Sequence, residues 1–432
     1  MKYYSTNKQS AVVDFKTATV LGQAPDKGLY YPESIPQWDE EFLDAFKELS
    51  KEYLAFKVMK PYVGGTIPDD VLFNIVSETI NFPFPLVQVK DGMYALELFH
   101  GPTLAFKDVG ARFMSRCLGY FNKGNDKKLT VLVATSGDTG GAVANGFENV
   151  DGIEVVILYP SGKVSPVQEL QLTTCAQNIT AIEVAGTFDD CQAMVKQAFM
   201  DEDIKAKISL TSANSINVAR WLPQQLYYCF ALQQWPFEEP PVISVPSGNF
   251  GNICAGMIAQ LSGLPVKHFI AACNANDVIP NFLHTGDLQI KPSVATISNA
   301  MDVANPSNFV RIMEMYDQQL LALQNKLSSV SISDETTRQT MRTVFNETGY
   351  TLDPHGAVGY KALADYLQNK NDKGIFLETA HPVKFPETVE EMTGEKIAIP
   401  EAVAPLFTKK KRSVAMQPGF EALKDWLISA AV

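Results

Sequence analysis

The sequence predicts an α/β protein of two or more domains, built on open, mostly parallel sheets covered by helices. Three observations lead there. The chain has 432 residues, beyond the ~250–300 at which a single core stops growing. From residue 95 onward, short apolar runs rich in β-branched residues alternate with longer helical patterns, as expected of strands buried on both faces and joined by helices. Hydrophobic residues make up 46% of the chain and charged residues 19%, an ordinary globular composition that argues against extensive disorder.

In chain order, residues 1–90 are mixed and mainly helical. Helices are predicted over Glu40–Lys57 and Asp69–Ile80. In the first, Phe42, Phe46, Leu49, Tyr53 and Phe56 alternate four- and three-residue spacings, which places them on one apolar face. After the proline-rich NFPFPL stretch (81–86) the pattern changes. Strands are predicted at TVLVAT (130–135), IEVVILYP (153–160), TAIEVAG (180–186), VISVPSG (242–248), FIAACN (269–274) and GIFLETA (374–380), with helices between them such as Asp189–Met200 and Ile253–Leu261. KKKR (409–412) reads as a solvated turn before a C-terminal helix.

The formal net charge of −12 repels nucleic acid and anionic membrane, so neither is an expected partner. An anionic substrate would need a local concentration of donors. No run of ~20 apolar residues offers a membrane span, and the polar opening MKYYSTNKQSAVVDF lacks a signal-peptide core. Cys117, Cys175, Cys191, Cys229, Cys254 and Cys273 are scattered, with no CxxC pair. They read as reduced thiols of a cytoplasmic protein. The five histidines are dispersed as well, and no metal is expected.

Ligands on open α/β sheets bind beyond the carboxyl ends of strands, and four predicted strands end in unusual loops. These are SGDTGGA (136–142), SGKVSP (161–166), GNFGN (248–252) and HPVKF (381–385). GNFGN suits a phosphate, because glycine lets backbone N–H groups approach an anion and the following helix presents its positive end. A turn with no ligand would read the same way. Neither a Walker A loop nor GxGxxG is present: Val164 follows Gly162-Lys163 where Ser or Thr belongs. Lys107 lies among apolar Leu104, Ala105, Phe106 and Val109. Desolvation there would free an amine for imine chemistry, while pairing with Asp108 on a surface is the plainer alternative.

ELFHGPTLAFKD, ATSGDTGGA, TSANSIN, VPSGNFGN and LETAHPVKF, in that order and approximate spacing, closely resemble the threonine synthases, and GLYYPESIP (28–36) extends the likeness to the N-terminal region. The resemblance implies the tryptophan-synthase-like fold type II, in which two α/β lobes enclose pyridoxal 5'-phosphate. It implies a family-specific segment over 1–90, a catalytic region over 91–400 with lobes near 91–240 and 241–400 that could interleave, and a tail over 401–432. Lys107 becomes the lysine that carries the cofactor as a Schiff base. Gly248, Asn249, Phe250 and Gly251, with Asn252 close by, would hold its phosphate, and Thr379 would meet the pyridine nitrogen.

The substrate carboxylate would fall to the loop of Ser136, Asp138 and Thr139. Many relatives in the wider fold carry Asn in place of Asp138, which leaves open who meets the cofactor's phenolic oxygen. Ser212, Asn214, Ser215, Asn217 and Arg220 form a plausible cradle for a substrate phosphate, though a polar loop capping the next helix fits equally. Lys384 is a second cationic candidate. His100 and His355 read as structural. The implied reaction converts O-phospho-L-homoserine and water to L-threonine and phosphate, in a monomer or homodimer. Rival readings are a serine or threonine dehydratase of the same fold and a non-catalytic sensor that binds the cofactor.

Overall fold

A computed structural model describes residues 1–125 and 127–430. Two parallel sheets dominate it. The larger runs in the order Leu327–Ser331, His268–Cys273, Val242–Pro246, Gly374–Glu378, Met93–Glu97 and Leu86–Lys90. Its strands are parallel except the last, which pairs antiparallel with its neighbour. In its middle Ser244 lies level with Ile270 on one side and Phe376 on the other. The second sheet, Val414–Met416, Ile179–Val184, Ile153–Pro160, Leu129–Ala134 and Ser209–Ser212, is parallel throughout. A small antiparallel sheet of Val13–Asp14, Lys2–Ser5 and Tyr30–Pro32 accompanies the N-terminal helices.

All six runs expected to be strands are strands, with ends within two residues of the expected ones. Burial explains why they were readable. Leu129–Ala134, Val242–Pro246 and Gly374–Glu378 are buried along their whole length, so both faces must be apolar.

The single helix expected over Glu40–Lys57 is two helices, Glu40–Ala45 and Lys51–Val63. Asp39 caps the first by accepting the Phe42 N–H, and Ser50 caps the second by accepting the Tyr53 N–H. The break changes the helical phase. Leu54, Val58, Met59 and Tyr62 now form the buried face, while Tyr53 is 43% exposed. The Tyr3 hydroxyl donates to the Tyr62 carbonyl at 2.7 Å and ties the N-terminal sheet to this helix.

KKKR (409–412) is exposed but does more than turn the chain. Lys411 Nζ lies 2.6 Å from Glu169 Oε1 and 2.9 Å from Glu183 Oε2, and the Arg412 N–H donates to the Thr173 carbonyl. Val414–Met416 then joins the second sheet beside Ile179–Val184. Leu423 and Leu427 of the helix Phe420–Ala430 bury in the same core cluster as Cys191 and Met194.

Among the described residues no helix is long and apolar enough to cross a membrane. Five of the cysteines are buried, Cys175 is partly so, and all are free thiols.

Candidate active site

Lys107 opens the helix Lys107–Asn122, where the positive end of the helix disfavours a cation. The segment before it is pinned to the end of the strand Gly374–Glu378. Phe106 N–H donates to the Thr379 carbonyl at 2.9 Å, His381 N–H to the Leu104 carbonyl at 3.0 Å, and Ala105 bridges Ala380. The Tyr227 hydroxyl donates to the Phe106 carbonyl. Leu104 is held at φ 58°, a conformation that costs a branched residue roughly 1–3 kcal/mol and persists only where neighbours impose it.

Asp108 does not pair with Lys107 on a surface. It is buried, and its carboxylate accepts the N–H and hydroxyl of Thr103, closing the loop from below. Burial pushes the Lys107 ammonium down to about 8; Asp138 opposes that shift, and Lys384 and Arg220 add to it. An appreciable share of Lys107 is therefore free amine at neutral pH. With the cofactor-free protein, the rate at which an aldehyde such as pyridoxal links to Lys107 should rise with pH and level off above about 8, read by stopped-flow absorbance. A profile still climbing at the ordinary lysine value of 10.5 would contradict this environment.

The strand Leu129–Ala134 delivers the next loop. Thr135 Oγ1 accepts the N–H groups of Gly137 and Gly140 at 3.0 and 2.8 Å, and the helix Asp138–Phe147 begins there. Ser136 and Thr139 are half-buried, while Asp138 is buried. Asp138 Oδ1 accepts from Lys384 Nζ at 2.8 Å and from Gln168 Nε2 at 3.0 Å. Burial opposes its charge, but the Lys384 and Lys107 ammonium groups prevail and hold the carboxyl below the usual range. Lys384 is itself completely buried, so its ammonium answers Asp138 first.

Sequence reasoning missed Gln168. Its signal was present: Ser165-x-x-Gln168 makes a capping box, and the same amide reaches Asp138.

At the end of Val242–Pro246, Gly248 passes so close to Met301 that a Cβ would meet its Cα at 2.7 Å and the Ala300 carbonyl at 2.9 Å. Phe250 adopts φ 60°, and the helix Gly251–Ser262 follows with its first N–H groups free of intrahelical partners. The Asn249 side chain is already engaged, donating to Ser215 Oγ at 2.6 Å and accepting the Ser307 N–H. Asn252 accepts from the Tyr228 hydroxyl at 2.8 Å, whereas its buried Nδ2 has no partner. A buried donor without an acceptor is costly. This orphan beside a glycine-lined helix start fits a bound phosphate.

The residues of TSANSINVAR differ in kind. Asn217 is fully buried and caps Val218–Trp221 by accepting the Ala219 N–H, while its amide donates to the Thr19 and Ser212 carbonyls. Ser212 Oγ accepts the Asn214 N–H. Ser215 Oγ accepts from both Asn249 and Asn308, which leaves its own proton to donate. Arg220 is buried near Lys107, yet its Nε and Nη1 find no partner in the chain.

His355 is held between Asp353 Oδ1 and the Ala300 N–H, and His100 lies 2.7 Å from Glu97. Glu378, just before Thr379, is buried beside Asp353, and burial keeps its carboxyl protonated well above the usual range. Among the described residues no cluster of His, Cys, Asp and Glu could hold a metal ion.

Two largely parallel sheets, a desolvated lysine at a helix start and a glycine-lined anion cradle at a strand end define a pyridoxal-phosphate-dependent enzyme of fold type II. Residues 82–376 match the family model for pyridoxal-phosphate dependent enzymes. Residues 2–80 match the threonine synthase N terminus and residues 356–427 the threonine synthase C-terminal model. The threonine synthase of Escherichia coli K12 is 43% identical over 99% of this chain and 100% of its own length. Its crystal structure superposes with a TM-score of 0.93 over the whole of both chains. The PLP-bound threonine synthase of Brucella melitensis gives 0.93 at 34% identity, over 100% of this chain and 99% of that one. The chain belongs to the threonine synthase family, and its cofactor is pyridoxal phosphate.

Proposed function

We propose that the protein converts O-phospho-L-homoserine and water to L-threonine and inorganic phosphate by β,γ-replacement. Arg220 carries the reading: a buried guanidinium with two unpartnered nitrogens beside Lys107 calls for an anionic ligand, since an uncompensated buried charge is strongly unfavourable. Ser212, Asn214 and Ser215 supply neutral donors around the same phosphate. Ser136 and Thr139, with the N–H groups at the start of Asp138–Phe147, receive the substrate carboxylate.

The bound cofactor supplies an electron sink next to the substrate Cα. Gly248, Asn249, Phe250, Gly251 and Asn252 hold its phosphate, chiefly through backbone N–H groups and the Asn252 amide. Thr379 offers its hydroxyl to the ring nitrogen. A hydroxyl there, unlike a carboxylate, leaves that nitrogen unprotonated. Lys107 carries the cofactor between turnovers, and its freed amine takes the proton from Cα. Asp138 keeps its charge through Lys384 and Gln168, so Lys384 and Asn217 position neighbours rather than touch substrate.

The catalytic region is assigned to 91–400, between an N-terminal segment over 1–90 and a tail over 401–432. The protein is assigned to the cytoplasm as a monomer or homodimer, with no nucleic-acid partner given its charge of −12.

Incubating the protein with cofactor and O-phospho-L-homoserine should release phosphate and L-threonine in equal amounts. Phosphate accompanied by 2-oxobutyrate would instead identify a lyase. Arg220→Met should cost on the order of 10²-fold in kcat/KM, the scale of a lost charged contact in a desolvated site. An unchanged kcat/KM would remove Arg220 from the substrate site.

A further inference from the structure

Arg311 is a fully buried arginine on the short helix Phe309–Met315, and nothing in the reaction so far uses it. Its guanidinium has five N–H donors, and each finds an oxygen. Nε donates to the Tyr30 carbonyl at 3.2 Å. Nη2 donates to Tyr30 at 2.9 Å and to the Ile216 carbonyl at 2.5 Å. Nη1 donates to the Ser215 carbonyl at 3.3 Å and to Asn308 Oδ1 at 2.6 Å. The Trp221 ring lies 4.7 Å from the guanidinium carbon.

All of these partners are neutral, and among the described residues no carboxylate forms an ion pair with Arg311. Hydrogen bonding is complete while the charge is uncompensated. These are separate requirements in a protein interior, and an unmatched charge is the costlier one to leave unmet.

The missing negative charge has an obvious place. Asn308, which accepts from Arg311, turns its amide to the Asn249 carbonyl at 3.0 Å and to Ser215 Oγ at 3.1 Å. Asn249 in turn donates to Ser215 Oγ. The guanidinium therefore stands one hydrogen-bonded residue behind the loop 248–252. At such a remove, in a medium of low dielectric, a full charge still acts on an anion. We propose that Arg311 is a positioning residue that serves as the remote countercharge of the cofactor phosphate, acting through Asn308 and the Asn249 carbonyl. The inference rests on the reading that loop 248–252 holds that phosphate.

The test compares pyridoxal phosphate with pyridoxal, which has the same aldehyde and ring but no phosphate. Full-length protein stripped of cofactor is titrated with each and followed by absorbance. Arg311→Gln removes the charge. Asn308→Asp keeps the guanidinium and its hydrogen bond but supplies a carboxylate that neutralises it. Both variants should bind pyridoxal phosphate at least about tenfold more weakly while pyridoxal affinity changes less than about threefold. If Arg311→Gln does not fold, Arg311→Lys, which keeps the charge with fewer donors, should retain most of the preference for the phosphate ester, and loss of that preference would overturn the proposal. Equal losses for both ligands would make Arg311 a packing element only, and unchanged phosphate-ester affinity would also overturn the proposal. Asn252→Asp checks the loop separately, since it sets a carboxylate at the start of Gly251–Ser262. If it leaves pyridoxal phosphate binding intact, the loop assignment itself fails.

Discussion

Replacing Lys107 by alanine should lower threonine formation by on the order of 10⁴-fold and abolish the yellow absorbance of the protein-bound cofactor. Two functions leave with one side chain. On the proposed role of Lys107, the covalent anchor is gone and so is the amine that accepts the Cα proton. An added small amine such as methylamine should restore part of the turnover, because the pocket built around Lys107 stays intact. Tyr227, Thr379 and Ala380 hold the preceding loop through its backbone, and none of these bonds involves the lysine amine.

Stability should move the other way from activity. In the folded, cofactor-free protein the Lys107 pKa is depressed to about 8 from 10.5. The cost of burying its charge is present in full below about 8 and fades as pH rises toward the unfolded value. The alanine variant should therefore melt no lower than the parent at neutral pH, and its advantage should shrink as pH climbs above about 8. Retained full turnover in this variant would refute the role of Lys107.

The burial of Lys107 was legible in the sequence because part of its environment is local. Apolar neighbours in the chain remain its neighbours in space, so desolvation could be read directly. The same holds for strands such as Val242–Pro246, whose two buried faces force an unbroken apolar run. Edge strands hide for the opposite reason. Leu327–Ser331 is largely half-exposed and reads LSSVS, which no apolar run would flag. The helix break at residues 46–50 was hidden by aromatic spacing that carried on across it, although Ser50 marked it as a cap.

The charges that complete the site were the least legible. Lys384 and Asp138 stand 246 positions apart, and Arg311 meets Tyr30 across 281. Nothing in the local composition around either residue announces its partner. What the sequence did raise was the question of who meets the cofactor's phenolic oxygen beside Asp138; the fold adds that the Asp138 carboxylate is itself engaged by Lys384.

That pair supports the other large effect. Lys384→Met should destabilise the protein by about 3–5 kcal/mol, the usual consequence of leaving a buried carboxylate without its partner, as measured by denaturant unfolding of the cofactor-free protein. Gln168 alone, a neutral donor at 3.0 Å, cannot replace a buried ammonium. Asp138→Asn should cost a comparable amount by stranding Lys384. The double variant Asp138→Asn with Lys384→Met should recover most of either loss, because neither member of the pair is then left without its partner.

The two single variants should separate at Lys107. Asp138 draws the Lys107 pKa up, while Lys384 and Arg220 press it down. With Asp138 neutral only the repulsive neighbours remain, and the midpoint for cofactor linkage should fall below about 8. With Lys384 gone and Asp138 still ionised, the midpoint should rise. Stability losses of like sign with midpoint shifts of opposite sign cannot come from disordered packing, which would move both variants alike. Equal midpoints would show that the buried pair holds the lobes together without tuning the lysine.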